Sequence, residues 1–493
     1  MTDRDLPKSW TTMAGAPIEA VRQSLTAGPA GPILLQDRLL TEKLAHFARE
    51  RIPERVVHAK GSAAFGSLAI TGDISRHTKA SVLQPGKRTE VLVRFSTFAG
   101  ESGAADAERD VRGFSLRAYT DEGNWDLVGS NMPVACIRDP IKFPELVHAA
   151  KRHPVTHLRS PTALWDFWSL SPESIHQVVM LFSDRGLPRS YRHMHGYGGH
   201  AFGLVNGDGK RVWAKFHFKT LQGIQTLSDA AARSLVGEDR ESSQRDLVEA
   251  IGRGEYPRWS FGIQIMTEEQ AARLPFGAFD STRVWPQATF PLIELGILML
   301  DRIPAHYFAQ AEQAAFSPSH LVPGLCVSPD KLLQGRLTAY SDAQRYRLGT
   351  HHQALPVNRP VCPVHSRHAD GGMLYDVPPE TDAYYEPNSF GGTNTGVGPS
   401  GAPLPVEGTI DRFDDAKGSD DYRQATALYR LMSPAQRQAL VSNLATSLSQ
   451  ATDVIQRRQI AHFNLVDPAL GHALRAVLFS DPPESGPAMP LPS

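Results

Sequence analysis

Cysteine is scarce in this chain. Cys136, Cys326 and Cys362 are far apart and odd in number, which argues against a disulfide framework and points to a reducing, cytoplasmic location. An excess of either charge is also missing. The formal net charge is -1 with acidic and basic residues interspersed, so neither nucleic acid nor an anionic membrane surface is expected as a partner. Nor are there long apolar runs. The greasiest stretch, Pro291 to Leu300, falls far short of the ~18 residues that a spanning helix needs, and the opening MTDRDLPKSWTT has no apolar signal core. No membrane association is expected. Glycine (40) and proline (37) are abundant, together about 16% of the chain against a usual ~12%, which disfavours a bundle of long helices. With 493 residues, 41% of them hydrophobic and 21% charged, the chain can bury one large core with satellite elements.

Four stretches follow along the chain. Residues 1–50 read as a polar N-terminal arm with a short helical pattern near Leu39 to Arg51, too small for a core of its own and suited to lie on a neighbouring subunit. Residues 51–300 carry recurrent period-2 segments: Thr89 to Ser96, Ser115 to Thr120, Arg211 to Lys219 and Trp259 to Thr267. Such half-buried strands between Gly-rich turns predict an antiparallel sheet closed into a barrel. Residues 301–415 lose periodicity, apart from helical turns around Pro329 to Gln344, and a loop this long in a compact domain wraps something or carries function. In 416–493 helix signals return. Ser433 to Gln436 forms a capping box with proline at the first helical position, and Leu440, Val441, Leu444 and Leu448 follow at helical spacing.

Three clusters can carry chemistry. In SPDKLLQGRLTAY, Arg336 and Tyr340 are four apart and share a helix face. Holding a phenol of pKa ~10 as its anion near pH 7 takes about 4 kcal/mol, beyond the ~0–1 kcal/mol of an exposed ion pair. A bound ferric ion can supply it, with the guanidinium tuning the ligand. In RIPERVVHAKG, Arg55 and His58 precede a strand, TEVLVRFS, that sets Val91, Val93 and Phe95 on one face and Leu92, Arg94 and Ser96 on the other. That second face offers a guanidinium for a ligand carboxylate and a hydroxyl to orient an imidazole, unless it simply faces solvent. The third cluster is the Pro-bounded turn carrying Asn131, followed by Phe143. An asparagine in a turn ordinarily bonds its own backbone.

The strings RIPERVVHAKG, VRFSTFAGESG, RDVRGFS, GNWDLVGSNMP, IRDPIKFP, WDFWSLSPES, HQVVMLFSDRG, SPDKLLQGRLTAY and YEPNSFGG, in this order over roughly residues 35 to 395, resemble the monofunctional haem catalases. The length resembles their small-subunit branch. The resemblance implies an α+β fold: an antiparallel eight-stranded β-barrel core with an N-terminal arm, a wrapping segment and a C-terminal helical domain, assembled as a homotetramer. It implies disproportionation of hydrogen peroxide through an oxoferryl porphyrin-radical intermediate, in defence against oxidative stress. Tyr340 would be the proximal iron ligand and Arg336 its partner. His58 would lie over the distal face, Ser96 would hold its other ring nitrogen, and Asn131 would hydrogen-bond the peroxide. Arg55, Arg94 and Arg347 match the propionate contacts, and Phe143 matches an aromatic stacked near the distal face. A shuttled proton suits His58, and Asn131 polarises without titrating.

Two departures stand out. Where the family usually has an aromatic pair before IRDP, this chain has Ala135 and Cys136. That change widens the pocket or exposes a thiol, and it predicts faster oxidation of small organic donors than in an Ala135→Phe, Cys136→Phe variant. The surface site where some relatives bind NADPH is matched by His176, Ser183, Arg185, Lys219, Val284 and Trp285, but Gln287 replaces histidine and Met180 replaces phenylalanine, leaving NADPH binding open. Rival readings are weaker. Glu145/His148 and Glu173/His176 fit a di-metal Glu-x-x-His motif, but Pro144, Pro154 and Pro172 deny it long helices. Cys362, His365 and His368 lack a fourth zinc ligand, His193, His195 and His200 read as turn histidines, and SFGGTNTGVGPSG lacks the Lys-Ser/Thr of a phosphate loop. Within the same fold, a haem peroxidase, an enzyme acting on organic hydroperoxides, or a non-catalytic haem carrier is the alternative, which retention of His58 and Asn131 disfavours.

Overall fold

Alternating side chains need two covers, one for each face of a strand, and the chain supplies both. The computed structural model describes residues 10–19, 21–274, 277–366, 368, 370–374, 383–390, 403–414 and 418–479. Of the stretch weighed as a phosphate loop, residues 389–401, all but Ser389 and Phe390 lie outside the described residues. Ten strands occur among the described residues: β1 (Gly61–Ile70), β2 (Arg88–Thr97), β3 (Arg112–Thr120), β4 (Gly123–Ser130), β5 (Gly196–Tyr197), β6 (Phe202–Val205), β7 (Arg211–Thr220), β8 (Arg258–Met266), β9 (Ile293–Arg302) and β10 (Leu325–Val327). Eight of them close a ring in the order β1-β2-β3-β4-β5-β7-β8-β9 and back to β1. Every pairing is antiparallel, and β6 continues the β5 edge along β7 while β10 pairs with β6. This is the expected eight-stranded antiparallel barrel.

Val91, Val93 and Phe95 point into the barrel core beside Phe114, Phe218 and Trp259. The opposite face is not open to solvent. Leu92 packs with Phe65, Val128, Ala311, Phe316 and Tyr340, and Arg94 and Ser96 are 3% and 2% exposed. Both faces of β2 are therefore dry, as a strand between a barrel core and a covering segment must be. The predicted strand to Thr267 ends one residue early, because Thr267 instead caps the helix Glu268–Arg273 in a capping box with Gln270.

The covering segment hangs on one buried ion pair. Arg117 of β3 and Asp126 of β4 are register partners and form a two-pronged pair, 2.8 Å and 2.7 Å, with neither side chain exposed. Asp126 also accepts from Ser317 N–H at 2.9 Å and meets His320 Nδ1 at 2.8 Å, while Arg117 donates to Asn358 at 2.9 Å. Burial alone would raise the Asp126 carboxyl, but Arg117 and His320 overcome that and hold it at about 2. The segment also contains the longest helix among the described residues, Lys331–Leu348.

Beyond it, helices Arg423–Leu431, Pro434–Leu448, Asp453–Val466 and Pro468–Leu478 share a core with Pro161–Leu170 and Ile175–Phe182. Ser433 and Gln436 form the expected capping box, and Leu440, Val441, Leu444 and Leu448 are buried. No helix among the described residues is long and apolar enough to cross a membrane. Residues 1–54 form a separate unit. Its helix, Arg38–Phe47, is capped by Asp37 and buries no residue, and Trp10, Met13, Leu35 and Phe47 are exposed.

Candidate active site

Asp330 starts the construction. Its carboxylate caps the helix Lys331–Leu348 by accepting from Leu333 N–H at 3.1 Å, and it accepts a second bond from His200 Nδ1 at 2.6 Å. His200 Nε2 faces Arg336 Nη1 at 2.7 Å. A guanidinium only donates, so Nε2 accepts and the proton of His200 sits on Nδ1, directed at Asp330. Burial, which pushes the His200 pKa down against the pull of Asp330, agrees with a neutral ring. Arg336 Nη2 then donates to Tyr340 Oη at 2.6 Å and to the Val128 carbonyl at 2.9 Å. The predicted Arg336/Tyr340 pair is thus one end of a chain running Asp330, His200, Arg336, Tyr340.

Tyr340 opens into a cavity of about 800 Å³, which His58 also lines. The backbone of His58 is left-handed, with φ 62°, a costly conformation for a residue with a side chain, and such outliers concentrate at functional sites. It is held from both sides: His58 N–H donates to the Phe98 carbonyl at 2.9 Å, and Arg94 Nη1 donates to the His58 carbonyl at 2.9 Å. Ser96 Oγ lies 2.9 Å from His58 Nδ1. The approach requires Gly113, since a Cβ there would stand 2.2 Å from Ser96 Oγ and 2.9 Å from His58 Nδ1. Burial, then the positive charges of Arg94, Arg336, Arg55 and Lys151, bring His58 down to about 3. The imidazole is therefore neutral near pH 7, and with Nδ1 engaged by Ser96, Nε2 is the nitrogen left to move a proton.

Phe98 packs edge-on to His58 at 5.5 Å and to Phe143 at 6.4 Å, and Phe143 lines the cavity as expected. Arg55, Arg94 and Arg347 come together beside His58 rather than on the cavity wall. Arg55 Nη1 and Arg347 Nη2 both reach Glu312, at 3.5 Å and 3.1 Å. Burial and the neighbouring guanidiniums lower Arg55 well below the ordinary value, and Arg94 Nε is buried without a hydrogen-bond partner. The cluster is suited to an anionic group. Asn131 is also set back from the cavity lining. Its Oδ1 accepts from Arg112 N–H at 2.8 Å and its Nδ2 donates to the Arg185 carbonyl at 3.3 Å, so the amide serves the backbone on both sides, as turn asparagines do.

Cys136 lines the cavity, but burial pushes its thiol up to about 12. The exposed-thiol reading does not fit a sulfhydryl that is 5% exposed and undissociated, a poor target for oxidation. The six residues matched to a nucleotide site differ in exposure and partners. His176 and Ser183 are buried, and Ser183 Oγ donates to the Met180 carbonyl at 2.7 Å. Lys219 Nζ donates to Tyr197 Oη at 3.1 Å, Arg185 is exposed, and Val284 and Trp285 line a small separate cavity with Lys215 and His217. Glu145 and His148 are exposed, Glu173 pairs with Lys142, and no metal-ready cluster occurs among the described residues, Cys362, His365 and His368 included.

His200, Asp330, Glu312 and Gly113 were missed. The reading of these histidines as loop residues rather than ligands fits His193 and His195, whose Nδ1 atoms meet the Gly223 carbonyl at 3.2 Å and the Thr220 N–H at 3.1 Å, and fails for His200. The one signal available was Asp330, an N-cap residue two positions after Ser328.

The family model described as Catalase matches residues 11–392, and the one described as Catalase-related immune-responsive matches residues 415–478. Catalase A of Pseudomonas putida is 51% identical over 474 residues, covering 95% of this chain and 98% of that protein. Among solved structures, a fungal catalase superposes with a TM-score of 0.92 at 42% identity, covering 96% of this chain and 97% of that one. Catalase A from Saccharomyces cerevisiae superposes with a TM-score of 0.88 at 40% identity, covering 95% and 99%.

Proposed function

Since the chain belongs to the catalase family and disproportionates hydrogen peroxide to water and oxygen, we propose that it does so with haem held on Tyr340 and with His58 moving the proton. The cavity fits such a group. Its volume of about 800 Å³ lies in the ~300–1,000 Å³ range of cofactor pockets, a phenol backed by a guanidinium stands at one end, and a guanidinium cluster with an unpartnered Arg94 Nε stands beside it. Arg336 would tune Tyr340, Arg55, Arg94 and Arg347 would meet the propionates, and Phe143 would pack near the distal face. When bound, haem iron supplies the redox chemistry by which one peroxide is reduced and a second oxidised.

The protein's own part is positioning and proton movement. His58 Nε2 takes a proton from one peroxide oxygen and returns it to the other, which turns a poor leaving group into water. Ser96 fixes the ring, and the left-handed backbone aims it. Asn131, although set back from the cavity lining, keeps a second Nδ2–H beyond the one given to the Arg185 carbonyl, and that hydrogen would be its donor to peroxide. The observation that carries this reading is a single cavity joining the Tyr340 phenol to a neutral His58 imidazole. In Tyr340→Phe, haem occupancy and oxygen release should both collapse. Full occupancy with unchanged gas evolution would overturn it.

We further place the chain in the small-subunit branch, with a domain order of arm 1–50, barrel 51–300, wrapping segment 301–415 and helical domain 416–493. The exposed apolar side chains of residues 1–54 support a homotetramer, which light scattering would test, and the scarcity and wide spacing of the cysteines support a cytoplasmic location. NADPH at His176, Ser183, Arg185, Lys219, Val284 and Trp285 is supported by Arg185 and Lys219, two cations that both act on His195 and suit phosphate. Titration of NADPH fluorescence would test it, and the extracted pigment would settle which haem is bound.

A further inference from the structure

A buried cation stands behind the chain Asp330, His200, Arg336, Tyr340. On β7, Ala214, Phe216 and Phe218 point into the barrel core, so Lys215 between them points outward, where it is 7% exposed. Across the sheet, His217 pairs with Tyr197 and Ala214 with Phe202. Lys215 and Phe216 alone therefore face Gly198, Gly199, His200 and Ala201, and the longer side must loop out. Gly199 makes that turn with φ 81°, and the loop carries His200 to Asp330. The register thus sets an ammonium opposite the bulge that bears His200.

Neither Lys215 nor Asp330 has its charge answered by a contact. Lys215 Nζ donates to the Arg283 carbonyl at 2.9 Å and lies over the Trp285 ring, 5.3 Å from its centroid. Both partners are neutral. The Asp330 carboxylate, equally buried, accepts from His200 Nδ1 and Leu333 N–H, which are neutral as well. Among the described residues Asp330 has no ion pair besides its contact with His200, and Lys215 has none. A buried charge without a counter-charge is costly, and these two offset each other. Asp280, the other carboxylate acting on Lys215, already pairs with Arg283 at 3.0 Å and lies 3.6 Å from Arg138. Burial alone would raise the Asp330 carboxyl, and His200, the Leu333 N–H and Lys215 together hold it below the ordinary range.

We propose that Lys215 is a positioning residue for Tyr340: it is the counter-charge of Asp330 across the bulge, and it keeps His200 a neutral acceptor for Arg336. The proposal rests on the reading of Tyr340 as the haem ligand. The charged groups that act on His200 are Asp330, Arg336 and Lys215. With both cations in place, a further positive charge on the ring is opposed. Without Lys215, the Asp330 charge draws a proton onto His200 Nε2 more readily. An imidazolium has no lone pair, so two donors, Nε2–H and Arg336 Nη1, would then face each other across 2.7 Å. Arg336 must swing away, and the bond it gives Tyr340 goes with it.

The test follows the ferric visible spectrum and the bound haem per chain from pH ~7 down to pH ~4.5 in wild type, Lys215→Met, Asp330→Asn and the double variant. Burial brings Lys215 down to about 8, against the pull of Asp330 and Asp280, so the ammonium is charged over this range. Methionine fills the same space without the charge. The expected result is a reversible acid transition of the Lys215→Met spectrum at least ~1 pH unit above any in wild type. In the Asp330→Asn background, Lys215→Met should leave the spectrum unmoved, because a neutral amide at position 330 cannot hold an imidazolium. A Lys215→Met spectrum that titrates like wild type overturns the proposal, and so does a transition that moves equally in the Asp330→Asn background. Haem loss that is the same at every pH also overturns it, since a merely structural lysine would give that result. Folded chains without haem, wild type included, would overturn the reading of Tyr340 instead. If Lys215→Met does not fold, Lys215→Gln, whose amide can still donate to the Arg283 carbonyl, gives the same comparison.

Discussion

Adding one methyl group at Gly113 should disable the proton-moving imidazole without touching it chemically. A Cβ at position 113 would lie 2.2 Å from Ser96 Oγ, and ordinary contact begins near 3.4 Å. Ser96 must therefore retreat by about 1.2 Å, which breaks its 2.9 Å bond to His58 Nδ1. A displacement of ~1 Å at a reacting group costs up to ~100-fold in rate, so Gly113→Ala should lose about that much kcat. Ser96→Ala loses only the bond, worth ~0.5–1.5 kcal/mol, or a roughly 2- to 13-fold loss. The double variant is the telling one. With Oγ gone, the 2.2 Å clash disappears and the added methyl meets the His58 ring, Nδ1 at 2.9 Å and Cε1 at 3.2 Å, so Gly113→Ala/Ser96→Ala should be more active than Gly113→Ala alone. Initial oxygen release per bound haem, measured for all four proteins, reads this out. A double variant no better than Gly113→Ala, or a Gly113→Ala protein within twofold of wild type, would refute the reasoning.

Other consequences are as direct. Asp126→Asn leaves Arg117 buried against a neutral partner and should destabilise the fold by ~3–5 kcal/mol, seen as a lower denaturant midpoint. The sign of the acid response follows from His58. Its folded pKa of about 3 lies below the ~6.5 of an unfolded histidine, so the stability it contributes is present above pH ~6.5 and is lost as pH falls toward 3, at up to about 1.4 kcal/mol per unit. Asp126, at about 2 against an ordinary ~3.9, adds a further loss below pH ~4. Oxygen release in the first seconds after a drop from pH 7 to pH 4.5 should stay nearly constant while the urea midpoint declines. An acid limb of initial rate centred near pH 6.5 would contradict the neutral imidazole. Iodoacetamide at pH 8 should leave Cys136 unmodified in the folded protein, since its thiol is raised to about 12, and peptide mapping would show the opposite if that burial were absent.

Local pattern determined what depends on neighbours in the chain. The strand alternation of TEVLVRFS, the i,i+4 face of Arg336 and Tyr340, and the Ser433 capping box each involve residues within a few positions, whose geometry follows from the period of one element. The sequence therefore sufficed for the barrel, the helix that carries Tyr340 and the C-terminal helices. Tertiary structure alone decided the pairing of residues far apart. His200 and Asp330 are 130 positions from each other, and Arg55 meets Glu312 across 257. No periodicity relates them, because the path of the covering segment and the register of β3 against β4 set those distances. The same holds for Asn131, whose turn directs its amide into backbone, and for the cavity, whose lining runs from Val57 to Gln450.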